Sequence, residues 1–278
     1  MQRISRTHHI GTLLLASALG AASCTGSYDA DSATRLVITG SSTIAPLIAE
    51  FGKRFESESP GIRIDVQTGG SSRGIADVRR GLADIGMVSR ALKPSEADLS
   101  PHLIARDGIG LIVHADNPVD ALDTAQVADI YTGRVTNWKD VGGADAPITT
   151  VHKAAGRSTH DLFVLHLGLD PSQIQASIVI GDNEQGIKSV EGNPNAIGYV
   201  SIGTAEVSAQ HGSRIKLLAL DGIPASTDTV ASGRFPLTRD LNLIVDERDG
   251  GLVNEFLVFS RSPDVHDLIE RQAFVVVD

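Results

Sequence analysis

The 278-residue chain has one cysteine, few aromatic residues and too few positive charges to balance its acidic residues. Each of these shortages argues against a class of protein. Because Cys24 has no second cysteine to pair with, no internal disulfide can form and hydrophobic cores must hold the fold. Aromatic residues make up 4% of the sequence, too few for a platform that stacks single-stranded nucleic acid. The formal net charge of −10, without a Lys/Arg-rich run, also argues against nucleic acid as a partner.

The N-terminal segment has the features of a secretory signal. An apolar run at residues 10–19 follows two arginines and precedes small residues that end at Cys24. The run is too short for a transmembrane helix of about 20 residues. The segment LGAASC resembles a bacterial lipobox, which predicts a signal peptide at 1–23, lipidation of Cys24 and a flexible polar tether at 24–34. The alternative is an ordinary signal peptide followed by a cysteine with no role.

From residue 35 onward, strand-like and helix-like patterns alternate. Apolar residues share one helical face at 45–59, whereas at 62–68 they alternate with polar residues as in a half-buried strand. Strands separated by helices of about 10–15 residues predict βαβ units, an α/β fold and a largely parallel sheet. Two further extended runs, 107–118 and 241–246, are predicted to cross between two α/β lobes.

The same patterns predict how the chain is divided. Residues 35–112 and 239–278 form the first lobe, because the C-terminal helices are predicted to return to it, and residues 113–238 form the second. In the second lobe the patterns predict helices at 124–131, 159–167 and 183–191, and strands at 148–153, 196–200 and 215–219.

Three turns rich in glycine and hydroxyl groups each follow a predicted strand and open a predicted helix. They are TGSSTIAP at 39–46, TGGSSRG at 68–74 and AAGRSTHD at 154–161. The first amides of a helix have no partner inside it, and the helix dipole adds partial positive charge there. Glycine lets the backbone approach a ligand and hydroxyls donate to its oxygens, so each turn is a candidate anion site. The alternative is that the serines and threonines only cap helices, which is a common role.

The second turn also matches the G-x-S-x-G signature of a hydrolase nucleophile, with Ser72 at its centre between a strand and a helix. Such an enzyme needs an acid and then a histidine downstream, and the histidines of this chain lie in no recognisable triad context. We therefore expect no catalytic residue and no enzyme. A serine hydrolase that uses Ser72 stays as the alternative from another class.

Five segments together resemble the phosphate-binding proteins of bacterial ABC importers, the PstS family. They are GSSTIAP (40–46), GGSSRGIADVRRGLADIGMVSR (69–90), ADIYTGRVTNWKDVGG (128–143), GNPNAIGYVSIG (192–203) and FPLTRDLNLIVD (235–246). The resemblance covers residues 35–278. It implies a type II periplasmic-binding-protein fold, in which two α/β lobes joined by a two-strand hinge close over an oxyanion.

The resemblance also implies a set of ligand contacts. They are Ser42 and Thr43 in the first turn, Ser71 in the second, Ser89 after the run DIGMV, and Lys153, Arg157, Ser158 and Thr159 in the second lobe. For each residue a structural role is the alternative: helix caps for Ser42 and Ser71, and solvated surface charges for Lys153 and Arg157.

This chain departs from the family at three of these positions. Many relatives have arginine at the position of Lys153. Lysine offers a single ammonium group there instead of the paired N–H donors of a guanidinium. Relatives often show GSGT where residues 156–159 read GRST, so Arg157 is a candidate to restore the paired donors. Ser89 stands where some relatives have an aspartate that accepts the proton of hydrogen phosphate, which makes selection against sulfate less secure.

The resulting expectation is an extracytoplasmic, periplasmic lipoprotein that captures inorganic phosphate between its lobes. The expected partners are phosphate or a related oxyanion, an ABC permease with its ATPase, and the membrane through the lipid on Cys24. We expect a monomer with no cofactor and no metal. The alternatives within binding are a sensor or scavenger without a transporter, and a site for another oxyanion such as sulfate, molybdate or a phosphonate.

Overall fold

The computed structural model describes residues 34–246 and 250–277, and all of them belong to one unit. The predicted signal peptide, the lipidation site Cys24 and the predicted tether, apart from its last residue Thr34, lie outside the described residues. Within the described ranges, no helix is long and apolar enough to cross a membrane.

The first part of the described chain alternates strands and helices, as its apolar periodicity predicts. Helix α1, for example, has a proline in its first turn and buries Leu47, Ile48, Phe51 and Phe55 on one face. The elements are β1 (Thr34–Gly40), α1 (Ala45–Glu58), β2 (Ile62–Thr68), α2 (Ser71–Arg79), β3 (Ile85–Val88) and the long strand β4 (Ser100–His114).

The middle of the chain continues the alternation with shorter elements. They are β5 (Ala121–Leu122), α3 (Thr124–Tyr131), β6 (Thr149–Lys153), α4 (Ser158–His166), β7 (Ile178–Ile180), α5 (Asn183–Glu191), β8 (Ala196–Ser201), α6 (Ile202–Gln210), β9 (Ile215–Leu217), β10 (Ala219–Leu220) and α7 (Thr227–Ala231). The chain then returns through β11 (Thr238–Val245) to α8 (Leu252–Phe259) and α9 (His266–Arg271).

The strands form two parallel groups joined by antiparallel strands, in the order β2-β1-β3-β11-β4-β8-β6-β7. β1 is parallel to β2 and β3, and β6 is parallel to β7 and β8. The carboxyl ends of β1 and β2 therefore open at one edge of the sheet, where the loops of α/β proteins commonly bind ligands.

Strands β4 and β11 make the connection between the two groups. β4 pairs with β11 along residues 100–108 and then with β8 and β9 along residues 109–114. The other side of β11 pairs with β3. Two α/β halves joined by two crossing strands are the architecture that the sequence predicts, and the fold class is confirmed.

Each half has its own hydrophobic cluster. One cluster draws on residues 36–105 and 241–274, where Phe55 meets Phe256 edge to face at 5.4 Å between ring centroids. The other draws on residues 109–237. We call the parts that hold these clusters the first lobe and the second lobe, while the boundaries predicted from the sequence stay a prediction.

Three details of the predicted elements were wrong. The run 215–219 is divided between β9 and β10, and the crossing strand β4 begins at Ser100, seven positions before the predicted 107. Helix α6 was not predicted, because Gly203, Ala205 and neighbouring small residues dilute its apolar periodicity.

Candidate functional site

The three hydroxyl-rich turns lie close together in the folded chain. The amides of Gly69 and Gly70 both donate to the carbonyl of Gly40 at 2.9 Å, which joins the turn after β1 to the turn after β2. Gly70 has φ +95°, and a Cβ atom there would lie 2.8 Å from the carbonyl oxygen of Gly156, in the turn after β6. Only glycine allows this conformation and this approach between turns from opposite lobes.

The helices after these turns do not use serine or threonine side chains as caps. Their N-cap residues are Ile44 for α1, Gly70 for α2 and Arg157 for α4, and none of the three makes a side-chain capping hydrogen bond. Capping at these N-cap positions therefore does not account for the hydroxyls, although Ser41 Oγ accepts from the Thr43 amide at 3.2 Å in the turn before α1. The partial positive charge of each helix N-terminus is available to an anion.

A chain of buried hydroxyls runs across the first two turns and into the third. Ser41 Oγ donates to Ser89 Oγ at 3.0 Å, and the amide of Ser89 donates to Ser71 Oγ at 3.2 Å. From the second lobe, Ser158 Oγ donates to the same Ser71 Oγ. The structure thus brings together the predicted residues Ser71, Ser89 and Ser158, and adds Ser41, which the sequence analysis did not select.

The centre of the site is Arg239 on β11, which sequence reasoning missed. Its guanidinium donates to the Asp107 carboxylate at 2.7 and 3.0 Å, to Thr159 Oγ1 at 2.8 Å and to Thr43 Oγ1 at 3.3 Å. The side chain of Arg239 is 0% exposed, and that of Asp107 is 1% exposed. One buried cation therefore links the first turn to the third. The signal in the sequence is an arginine inside the strand-like run LTRDLNLIV, which is rich in apolar residues.

Lys153, the last residue of β6, joins the same network through Asn183. Lys153 Nζ donates to Asn183 Oδ1 at 3.0 Å, and Asn183 Nδ2 donates to Thr43 Oγ1 at 3.3 Å. Lys153 is 2% exposed, so the surface-charge alternative is wrong for this residue. Burial, followed by the positive charge of Arg239, lowers the pKa of Lys153 to about 7. Asn183 is a second residue that the sequence analysis did not select.

An aromatic cluster beneath β6 fixes the backbone of Lys153. The Tyr199 hydroxyl accepts from the Lys153 amide at 3.2 Å and lies 2.8 Å from His152 Nδ1. The Tyr199 ring stacks on Phe163 with centroids 3.7 Å apart. Burial lowers the pKa of His152 to about 4, so this histidine is neutral at neutral pH.

Arg157 lies at the outer side of the site and reaches the opposite lobe. Its Nη1 atom donates to Ser42 Oγ at 3.4 Å, and the side chain is half-buried. Beside this contact is a cavity of about 200 Å³ between the first turn and the start of α5. It is lined by Ser42, Ala45, Pro46, Thr68, Asp182, Asn183, Glu184 and Thr204.

All eight predicted ligand residues thus fall in one region, through contacts that cross between the lobes. Positive charge is concentrated there on Arg239, Lys153 and Arg157, while the carboxylate of Asp107 is held by Arg239. Such an arrangement of buried cations, hydroxyls and helix N-termini suits an oxyanion. Across residues 34–246 and 250–277, no group of three or more His, Cys, Asp or Glu side chains is placed to hold a metal ion.

The hydrolase alternative finds no support in the geometry. Ser72 is exposed on α2, and within the described ranges no histidine is hydrogen-bonded to it. A nucleophilic serine needs such a base within hydrogen-bond reach. The G-x-S-x-G match is therefore a coincidence of the turn sequence.

Comparisons with known proteins identify the family of this chain. A family model for the PBP superfamily domain matches residues 27–264. The phosphate-binding protein PstS of Bacillus subtilis is 28% identical over 277 residues, which cover 95% of this chain and 90% of the relative.

Two solved structures are similar along their whole length. One, from Clostridium perfringens, is described as a phosphate ABC transporter substrate-binding protein with bound phosphate. It has a TM-score of 0.81 and 33% identity, covering 88% of this chain and 100% of that chain. The other is an ABC-type phosphate transport receptor from Vibrio cholerae, with a TM-score of 0.70, 27% identity and the same coverage.

Fold and site together define a substrate-binding protein of the type II periplasmic class. The chain belongs to the PBP superfamily and, within it, to the PstS-type phosphate-binding proteins. The resemblance read from the five sequence segments is confirmed.

Proposed function

We propose that this chain captures inorganic phosphate in the cleft between its lobes and delivers it to an ABC importer. The main support for the proposal is the buried guanidinium of Arg239. It is hydrogen-bonded to Thr43 of the first turn and to Thr159 of the third turn. The relatives support phosphate as the ligand, since the similar Clostridium perfringens structure holds phosphate.

The affinity comes from local donors rather than from the overall charge. A hydrogen bond to a charged group contributes about 1.5–3 kcal/mol, and more of this is retained where water is excluded. In this structure the hydroxyls of Ser71 and Ser158 bond to each other, and Thr159 accepts from Arg239. Each of these hydroxyl hydrogens can turn towards an oxyanion, so the ligand replaces contacts between the lobes with contacts to its own oxygens.

The proposed ligand contacts are those predicted from the sequence, extended by the structure. They are Ser42, Thr43, Ser71, Ser89, Lys153, Arg157, Ser158 and Thr159, together with Arg239 and Asn183. The proposed lobes, residues 35–112 with 239–278 and residues 113–238, rotate about β4 and β11 to open and close the cleft, the hinge mode of two-lobed binders.

The cellular setting is part of the proposal. The chain acts outside the cytoplasm, in the periplasm, as a monomer held to a membrane by a lipid on Cys24. Its partners there are a permease and an ATPase of an ABC importer. It breaks no bond in its ligand and uses no cofactor.

A second ligand is favoured by one observation. Ser89 stands where some relatives have an acidic acceptor, and its groups are committed to Ser41 and Ser71. None of the eight predicted ligand residues carries a carboxylate, which also suits a fully deprotonated anion such as sulfate.

Calorimetric titration of the purified chain with phosphate, sulfate and arsenate tests the proposal. We expect saturable phosphate binding, and an Arg239→Lys variant that raises Kd at least about tenfold, which is about 1.4 kcal/mol. Lysine keeps the charge but loses the fork of donors that reaches Asp107 and both threonines. Arg134→Lys, at an exposed ion pair with Asp129, is the matched control and should bind as the unmodified chain does. No saturable phosphate binding, or full affinity in Arg239→Lys, contradicts the proposal.

A further inference from the structure

One ion pair crosses between the lobes without using a proposed ligand residue. Lys93 Nζ in the first lobe lies 3.7 Å from Asp161 Oδ2 on α4 in the second lobe. The hydrogen bonds between the lobes described above, such as that of Ser71 with Ser158, all use proposed ligand residues. The Lys93–Asp161 pair can therefore be changed without removing a group that is proposed to touch the ligand.

The segment that carries Lys93 is fixed to the first lobe by a buried ion pair. Arg90 donates to both carboxylate oxygens of Glu96, at 2.7 and 2.9 Å, and the two side chains are 4% and 11% exposed. The Glu96 carboxylate also accepts from the Lys93 amide at 2.8 Å, and the Arg90 carbonyl accepts from Asn242 on β11 at 3.3 Å. The backbone of Lys93 therefore has a defined position relative to β11.

The partner carboxylate is also held in place. Asp161 lies in the first turn of α4, two positions after Thr159, and its Oδ1 atom lies 3.0 Å from Nδ1 of the buried His160. This contact leaves Oδ2 as the oxygen that faces Lys93. Because Lys93 and Asp161 belong to different lobes, opening of the cleft about β4 and β11 separates them.

On the basis of the phosphate-binding function proposed above, we propose that the Lys93–Asp161 ion pair is a closing contact, which stabilises the closed lobes and slows the release of phosphate without touching it. An interaction that is made in only one of two conformations shifts their equilibrium by its full strength. Exposed ion pairs are weak, so the shift in favour of the closed form is about two- to fivefold.

The two charges allow a closing contact to be distinguished from a general effect of charge on the anion. If each charge acted on phosphate separately, loss of Lys93 would weaken binding and loss of Asp161 would strengthen it. A closing contact needs both partners, so either loss has the same sign, and the second loss adds little to the first.

The test compares Lys93→Gln, Asp161→Asn and the double variant in the full chain. Radiolabelled phosphate is bound, and its release is followed after mixing with excess unlabelled phosphate. We expect each single variant to release phosphate about two- to fivefold faster than the unmodified chain, and the double variant to be no faster than the single variants. At about 1 M sodium chloride, where the Debye length is about 3 Å, these differences should largely disappear.

Lys53→Gln is the matched control, because it breaks an exposed ion pair with Glu50 inside the first lobe and should not change the release rate. Thermal unfolding checks the folding of each variant, since Asp161 also contacts His160. Lys93→Gln removes only the exposed partner, so an unchanged release rate in this variant overturns the inference whether or not Asp161→Asn folds.

Two further results separate this inference from the proposed function. Slower release from Asp161→Asn, or effects that add in the double variant, overturns the closing contact while phosphate binding stands. Failure of the unmodified chain to bind phosphate overturns the proposed function, and the closing contact with it.

Discussion

The two lobes bring side chains of different chemistry to the region where they contact each other. The first lobe contributes neutral hydroxyls, from Ser41, Ser42, Thr43, Ser71 and Ser89. The second lobe contributes positive charge from Lys153 and Arg157 as well as hydroxyls from Ser158 and Thr159. Arg239 lies between them, on one of the two strands that join the lobes.

This division separates shape from charge. Neutral hydroxyls orient oxygen atoms but do little to neutralise an anion, whereas buried cations neutralise it and bind it strongly only when water is excluded. In the proposed function the hydroxyls of the first lobe therefore orient the oxyanion, and the charge comes from Lys153 and Arg157 in the second lobe and from Arg239 on β11. The net charge of −10 for the whole chain bears on solubility and encounter, not on this local arrangement.

The largest expected effect is at the residue that both lobes share. Arg239→Met leaves the buried Asp107 carboxylate without its partner, which should lower the free energy of unfolding by about 3–5 kcal/mol and abolish phosphate binding. Urea unfolding and calorimetry measure the two effects. The double variant with Asp107→Asn should regain much of the stability without regaining binding. Phosphate binding by the double variant would show that Arg239 holds the lobes together but not the ligand.

An intermediate effect is expected from a neutral donor of the first lobe. Ser71→Ala removes the hydroxyl that accepts hydrogen bonds from both Ser89 and Ser158. We expect it to weaken phosphate binding about tenfold, or about 1.4 kcal/mol, with little change in the salt dependence of binding. The neighbouring exposed Ser72→Ala is a matched control on the same helix and should bind normally. Equal affinities for the two variants would exclude the second turn from the site.

The smallest effect is expected at the outer charge of the second lobe. Arg157 is half-buried and its contact with Ser42 Oγ is long at 3.4 Å, so Arg157→Gln should weaken phosphate binding by about 1 kcal/mol or less. Because the charge is partly exposed, the loss should shrink as salt is added. Calorimetry at low and high salt measures it. A loss that is large and independent of salt would place Arg157 inside the site rather than at its edge.

Sequence patterns were sufficient for the local elements of the site. The turns at 39–46, 68–74 and 154–161 were identified from glycine, hydroxyls and the change from strand to helix periodicity, and all three lie in the cleft. Arg239 and Asn183 were missed because neither lies in a glycine-rich turn. A single arginine in a strand looks like an exposed edge residue until the strand is known to pair with β3 on one side and with β4 on the other.

The amino-acid sequence by itself determined which segments become strands, helices and turns, because hydrophobic periodicity and turn chemistry act over a few residues. Tertiary structure alone decided that Arg239 reaches Thr43 and Thr159, positions 196 and 80 residues away, and that burial lowers the pKa of Lys153 to about 7. Contacts over such distances, and the dielectric environment that they create, arise only when β4 and β11 bring the two lobes together.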